Sequence, residues 1–240
     1  MINFKNRKEA GKALAEKLYL YLKHELAQFH QGEIVVVGLP RGGAVVGLEV
    51  ARKFNCHLDV LVSKKIPHPS DEEFAIGAVT ADSEVVLNPD IPENEAWEHY
   101  IEEHRQRLLH QTKEMEDAYY DQAGYIPCSF ENKIVIVVDD GIATGMTAVA
   151  ALETTRLRGA KLIIMAAPVM SAESHHAITK FCHHVVAICV PSHFEAVGQY
   201  YSDFKPTEFG DVIDAMRESR QFAPPADMSF LLQWPNKGLK

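Results

Sequence analysis

Four short apolar runs, spread along the chain, limit most strongly what this sequence can fold into. They are rich in valine and isoleucine and occupy 34–37, 134–138, 162–166 and 185–190. An apolar residue at nearly every position is typical of a strand that is buried on both faces of a sheet. Segments with helical spacing lie between the runs, at 44–54, 146–158 and 172–181. This alternation predicts an α/β fold with an open, mostly parallel twisted sheet that is flanked by helices.

The residues before the first run predict a helix that packs on this sheet. Asn6 is suited to cap its first turn, because an asparagine side chain accepts a hydrogen bond from the free N–H groups there. The apolar positions that follow are spaced by four, at Ala10, Leu14, Leu18 and Leu22. The helix is expected to end near 30–32, where Gly32 releases the chain.

Between the first two runs the pattern is weaker. It predicts a strand at 58–63, an exposed loop with two prolines at 64–73, and a hairpin of short strands at 74–79 and 84–87. A long charged helix is expected at 93–120, with its apolar side marked by Trp97, Ile101, Leu108 and Met115. We therefore expect one domain over 1–220, followed by a proline-containing tail at 221–240.

Composition excludes several classes of function. The chain has 240 residues with 24 Lys+Arg against 33 Asp+Glu, a net charge of -9. A protein that coats nucleic acid or an anionic membrane needs a basic face, so neither partner is expected. No run reaches the roughly 18 apolar residues of a membrane span, and no apolar signal core opens the chain. Four cysteines without a CxxC pair fit a reducing compartment, so a cytoplasmic location is expected.

Two strand-to-helix junctions carry unusual loops, and ligands of open parallel sheets bind at such strand ends. One loop, 38–43, contains Arg41 and ends in two glycines. The other starts with Asp139 and Asp140 and continues with glycines and threonines. Buried carboxylates need hydroxyls or a cation, and N–H groups at a helix start favour phosphate. The second loop therefore predicts a sugar-phosphate site, and neither loop matches a Walker A or GxGxxG motif.

The second loop, within 137–147, resembles the phosphoribosyl-pyrophosphate (PRPP) motif of type I phosphoribosyltransferases: a hydrophobic strand, two acids, and a loop that ends in Thr-Gly-x-Thr. The resemblance covers about 30–200, the whole core. It implies that the two acids hold the ribose hydroxyls and that 142–147 bind the 5-phosphate. The residues that it assigns to PRPP here are Asp139, Asp140, Gly141, Ile142, Ala143, Thr144, Gly145, Met146 and Thr147. Met146 departs from the glycine of many members and narrows the room beside the phosphate.

The first loop then corresponds to the pyrophosphate loop of that family. The resemblance assigns Pro40, Arg41 and Gly42 to PRPP, with a cis peptide between Pro40 and Arg41. It adds the basic pair Lys64 and Lys65, and makes 66–78 a flexible flap that closes over the site. The residues expected to take part in catalysis are Arg41, Lys65, Asp139 and Asp140.

The acceptor side is expected in a hood at 191–206, where the aromatic ring of Phe194 or Tyr200 is suited to stack on a planar acceptor. The resemblance does not name the base.

The resulting hypothesis is an enzyme of nucleotide and nucleoside metabolism. It transfers a 5-phosphoribosyl group from PRPP to a nitrogenous, nucleobase-like acceptor and releases pyrophosphate. The resemblance implies Mg2+ as cofactor, with Asp139 and Asp140 contacting it mostly through water, and a homodimer as the assembly.

Two other hypotheses stay open. One is a regulatory protein of the same fold that binds PRPP or a nucleotide without transfer, since fold does not fix function. The other is a hydrolase of a ribose phosphate. A metal site built on the twelve histidines is disfavoured, because His175-His176 and His183-His184 are adjacent pairs whose side chains diverge.

Overall fold

The structure is a computed structural model, and it describes residues 2–26, 33–82, 85–88, 91 and 95–223. Its strands, in chain order, are β1 (Ile34–Gly38), β2 (His57–Val60), β3 (Ser63–His68), β4 (Asp71–Thr80), β5 (Val86–Leu87), β6 (Ile134–Val138), β7 (Leu162–Val169) and β8 (His184–Cys189). Its helices are α1 (Arg7–Leu26), α2 (Gly42–Phe54), α3 (Glu95–Ala123), α4 (Met146–Leu157), α5 (Ala172–Ile178) and α6 (Phe209–Ser219), with a 3-10 turn at Val197–Tyr200.

The main sheet has five parallel strands in the order β2-β1-β6-β7-β8, which confirms the predicted fold class. β1 pairs with β2 on one side and with β6 on the other, so the strand order reverses between β1 and β6. The last residues of these two strands, Gly38 and Val138, are register partners. The helices that follow these two strands, α2 and α4, pack on opposite faces of the sheet. Ligands of open parallel sheets bind at such a point, in the crevice beyond the strand ends.

Helices cover both faces of this sheet, as the continuous apolar strands require. On one face, Leu14 and Leu18 of α1 pack with Val46 of α2 against Val36 and Ile136. On the other face, the intervening strand residues pack against α4 and α5, as Val137 does with Leu152. Alternate residues of one strand thus serve two cores.

The first helix is confirmed with its cap. Asn6 Oδ1 accepts a hydrogen bond of 3.0 Å from the Glu9 N–H group. The four predicted apolar positions, Ala10 through Leu22 in steps of four, are each 0% exposed. The predicted end of this helix at 30–32 lies outside the described residues, as does 224–240 of the predicted tail.

The loop predicted at 64–73 is wrong, because most of this segment forms the strands of a small second sheet. β3 pairs with β4 in antiparallel register, and β4 pairs with β5. The hairpin predicted at 74–79 and 84–87 is thus confirmed for its described residues, which exclude residue 84. The loop prediction is wrong because it treats proline as a sign of a loop. Pro67 lies on the edge strand β3 at a register shift, where a missing N–H group is tolerated. The strand expected at 58–63 is also interrupted, since β2 ends at Val60 and β3 begins at Ser63.

The long helix α3 packs on this small sheet, but its buried side is not wholly apolar. Leu108 is buried among Ile66 and Val79. Met115, predicted on the apolar side, is 36% exposed, whereas the neighbouring Glu116 is 6% exposed. Glu116 tolerates burial because it accepts hydrogen bonds from the Val62 N–H group and from Arg158. The buried side of α3 thus passes through Glu116 and not through Met115. No helix in the described ranges is long and apolar enough to cross a membrane.

Candidate active site

The two loops at the strand-order reversal lie directly against each other. The Leu39 N–H group donates to the Val138 carbonyl at 2.9 Å, which ties the start of the first loop to the end of β6. A Cβ atom on Gly43 would lie 2.5 Å from that same carbonyl oxygen. One on Gly42 would overlap the Asp140 carboxyl group. The two glycines are therefore needed for the close approach of the loops.

The peptide between Pro40 and Arg41 is cis, as the family resemblance implied for this loop. The Arg41 side chain is 53% exposed, and its Nη1 lies 3.9 Å from Glu208 Oε2. At this distance and exposure the ion pair is weak. The Arg41 guanidinium is thus a cation at the rim of the crevice with room to meet an anion.

Asp139 and Asp140 directly follow β6, at the edge of the sheet where the first loop approaches. The Asp140 N–H group donates to Asp139 Oδ1 at 2.8 Å. Burial, and next the nearby Asp140 carboxylate, raise the pKa of Asp139 well above its usual value. On the other side Asp140 Oδ2 accepts from Arg7 Nε at 2.6 Å. The acid pair is therefore asymmetric: only Asp140 has a direct arginine partner.

The second loop continues into the N-terminus of α4, and hydrogen bonds from α5 and its N-cap fix one of its carbonyl groups. The Ala143 carbonyl accepts from the hydroxyls of Ser171 and Ser174, at 2.7 and 2.5 Å. Gly145 takes a φ of +80° as the residue before α4, which glycine adopts without strain. Ala143 and Thr144 are exposed. Because the first N–H groups of a helix lack partners within it, this turn presents donors suited to a phosphate.

The two lysines of β3 face opposite ways, since successive strand side chains alternate. Lys64 Nζ donates to Gln111 Oε1 on α3 at 3.0 Å. Lys65 shares the other face with Ser63, whose hydroxyl donates to the Thr147 carbonyl at 3.1 Å. The structure thus places Lys65 on the side of the α4 N-terminus and Lys64 on the side of α3.

The hood predicted at 191–206 lies beside the acid pair. A Cβ atom on Gly141 would collide with Val197, so this hood residue contacts the second loop. The rings of Phe194 and Tyr200 stack with centroids 5.8 Å apart. Tyr200 is 3% exposed and its hydroxyl donates to the His193 carbonyl, whereas Phe194 is half-buried. Of the two rings, Phe194 has the surface to offer a ligand.

Sequence reasoning missed Arg7, whose side chain pairs with the Asp140 carboxylate. Besides that contact, Arg7 Nη1 donates to the Lys205 carbonyl at 2.6 Å, and its guanidinium lies 3.9 Å from the centre of the Phe204 ring. Its partner Asp140 is 133 residues away in sequence. No local pattern signals a pair at that separation.

The donor set at the crevice fits Mg2+ only in part. Asp139 and Asp140 offer carboxylate oxygens, and no cluster of three or more His, Cys, Asp or Glu suited to a metal occurs among the residues described. Mg2+ is commonly held by one or two carboxylates together with waters and substrate phosphates. The residues therefore fit an ion that arrives with a phosphorylated substrate.

Comparisons with known proteins agree with this geometry. A sequence model described as "Phosphoribosyl transferase domain" matches residues 3–205. Proteins from two strains of Mycobacterium tuberculosis, each named "Putative phosphoribosyl transferase", are 33% identical over 222 residues, which is 92% of this chain and 48% of theirs. The chain thus spans about half the length of these curated relatives. A crystal structure of a Thermus thermophilus protein is 34% identical, with a TM-score of 0.74, over 93% of this chain and 100% of that one.

Proposed function

We propose that this chain, which belongs to the phosphoribosyl transferase domain family, transfers a 5-phosphoribosyl group from PRPP to a nitrogenous acceptor and releases pyrophosphate. The observation that carries the proposal is the placement of the acid pair and the α4 N-terminus on one loop, at the reversal of strand order and against the glycine loop. Carboxylates, N–H donors and a close backbone approach match the three parts of PRPP: ribose hydroxyls, 5-phosphate and pyrophosphate.

The ribose and its phosphate are assigned to the second loop. Asp139 and Asp140 accept hydrogen bonds from the ribose hydroxyls. The 5-phosphate lies at the start of α4, over 142–147, where N–H groups and the positive end of the helix favour an anion. Met146 is half-buried at the first position of α4 and borders this phosphate.

The pyrophosphate is assigned to the first loop and β3. Gly42 lets the backbone approach it, while Arg41 and Lys65 neutralise its charge. The bond between ribose C1′ and the pyrophosphate oxygen breaks, a bond from C1′ to the acceptor nitrogen forms, and the proton displaced from that nitrogen leaves with pyrophosphate. The protein contributes position and electrostatic stabilisation of the leaving group, and no side chain is assigned as a base.

Mg2+ is part of the proposal. Bound together with PRPP, it would offset the charge of the pyrophosphate, with Asp139 and Asp140 as the residues near it, mostly through water. The acceptor is placed under the hood, against the half-buried ring of Phe194. A role in nucleotide and nucleoside metabolism, a homodimer, a cytoplasmic location and closure of 66–78 over the site stay predictions of the same proposal.

The test is turnover. Purified protein is incubated with PRPP, Mg2+ and, one at a time, the common purine and pyrimidine bases, and pyrophosphate release is followed. Release that requires one of the bases, with the ribonucleotide as product, supports the transferase. Release without any base supports a hydrolase, and tight PRPP binding without release under any base supports the regulatory protein.

A further inference from the structure

We infer that Arg7 is a positioning residue of the donor site: it holds the Asp140 carboxylate in place for the ribose and couples the hood to that carboxylate. The inference rests on the proposed function, because it concerns how the same site binds PRPP. Arg7 lies outside the acid-pair loop, at the first position of α1.

The contact with Asp140 is well placed for this role. Arg7 and Asp140 are 13% and 15% exposed, so water screens their pair much less than a surface ion pair. The Arg7 Nε–H group donates to Asp140 Oδ2. A carboxylate accepts several hydrogen bonds, so Oδ1 can still accept a ribose hydroxyl while Arg7 fixes the rotation of the group.

The other side of the guanidinium is held by the hood. Its face stacks on Phe204, and its Nη1 donates to the Lys205 carbonyl. The chain before Arg7 is also attached there: the Phe4 N–H group donates to the Tyr200 carbonyl at 2.7 Å, and Ser202 N–H to the Phe4 carbonyl at 2.8 Å. Any displacement of the hood therefore moves Arg7.

The first loop meets the same side chain. A Cβ atom on Gly42 would lie 2.8 Å from Arg7 Nε. Arg7 is thus in contact with all three parts of the crevice: the acid pair, the glycine loop and the hood. The planar guanidinium of arginine can stack on a ring and donate hydrogen bonds in two directions at once. The ammonium group of lysine cannot do both.

A double-mutant cycle on PRPP affinity tests the inference. Calorimetric titration with PRPP in excess Mg2+ is carried out on wild type, Arg7→Met, Arg7→Lys, Asp140→Asn and the Arg7→Met/Asp140→Asn double variant. We expect Arg7→Met to weaken binding about tenfold, the size of a lost charge-assisted contact. Arg7→Lys recovers part of this loss, because it keeps the charge but not the fork. The double variant binds no more than about threefold more weakly than Asp140→Asn alone, because Arg7 acts through Asp140.

Lys8→Met is the matched control. It removes one positive charge from the next position of α1, and Lys8 is exposed, so PRPP affinity should stay within about twofold of wild type. Thermal melts of every variant establish that each is folded at the titration temperature.

The outcomes separate the two proposals. Wild type that binds no PRPP overturns both. If wild type binds PRPP and Arg7→Met binds it equally well, the role of Arg7 is overturned while the proposed function stands. The same conclusion follows if the affinity losses of Arg7→Met and Asp140→Asn add in full in the double variant. If only the melting temperature of Arg7→Met falls, Arg7 is a structural residue and the inference is wrong.

Discussion

At the residue scale, the candidate site depends on close contacts around the Asp140 carboxyl group. The two loops approach so closely that Gly42 has the Asp140 carboxyl group where a Cβ would be. The same carboxylate is held by Arg7, and its neighbour Asp139 has a pKa raised by burial and by the Asp140 charge. Small changes at these residues therefore alter the position or the charge of the groups that we propose to bind PRPP.

Gly42→Ala tests the close approach. The added methyl group must displace the Asp140 side chain, so we expect PRPP affinity to fall by tenfold or more and stability to fall by about 1–3 kcal/mol. Calorimetry and urea unfolding measure the two effects. Gly210→Ala is the control: nothing lies within 4 Å of its Cβ, and it is in α6. Alanine there should leave affinity unchanged and add about 0.5–1 kcal/mol to stability. Equal effects of the two changes would show that the loops do not meet as described.

Glu116 makes stability depend on pH. Burial raises its pKa to about 7, against the opposing effect of Arg158. Its pKa in the unfolded chain is near 4.5, so between these values the folded state binds the extra proton. Stability from this group is present at low pH and is lost as pH rises through about 7.

The Glu116→Gln variant should not show this loss. We expect the free energy of unfolding of Glu116→Gln, minus that of wild type, to increase by on the order of 2 kcal/mol between about pH 5 and about pH 7.5. Urea unfolding at the two pH values measures it. Glu103→Gln, at an exposed position of α3, should leave the difference between the two pH values as in wild type. A Glu116→Gln protein with the pH dependence of wild type would show that Glu116 does not titrate in this range.

At the scale of elements, the strands and helices of the main sheet could be predicted because their signals are local. A run such as 134–138 is apolar at every position and is buried on both faces, so its composition is enough. The small sheet could not be predicted in the same way. β3 contains Lys64, Lys65 and Pro67, which are typical of a loop, and it is a strand because α3 and α4 pack on it from both sides. Such tertiary support leaves no mark in the segment itself.

The β3 strand gives a prediction with a built-in control. Lys65 lies on the same face of β3 as Ser63, which contacts Thr147. We therefore expect Lys65→Met to weaken PRPP binding by about tenfold, because it removes a charge near the proposed pyrophosphate position. Lys64→Met should change it less than about twofold, because Lys64 donates to Gln111 on the other face. Titration of both variants with PRPP decides the matter. If Lys64→Met weakened PRPP binding more than Lys65→Met, the assignment of Lys65 to the site would be wrong.

At the scale of the whole molecule, the order of strands creates the site. Reversal between β1 and β6 brings residues about 100 positions apart in sequence, the loops after Gly38 and Val138, to one crevice. The positions of the two loops could be predicted from their motifs, and the cis peptide after Pro40 followed from the family resemblance. Arg7 could not, because only the packed fold brings α1 and the hood over the acid pair.

The proposed transfer depends first on PRPP binding at this crevice. Calorimetric titration of wild type with PRPP, in Mg2+ and again in EDTA, tests it most directly, with Asp140→Asn and the exposed Asp214→Asn as a matched pair. We expect one PRPP per chain, weaker binding in EDTA, an affinity lower by about tenfold or more for Asp140→Asn, and an unchanged affinity for Asp214→Asn, whose side chain is exposed. Absence of binding at millimolar PRPP, or equal binding by Asp140→Asn and wild type, would contradict it.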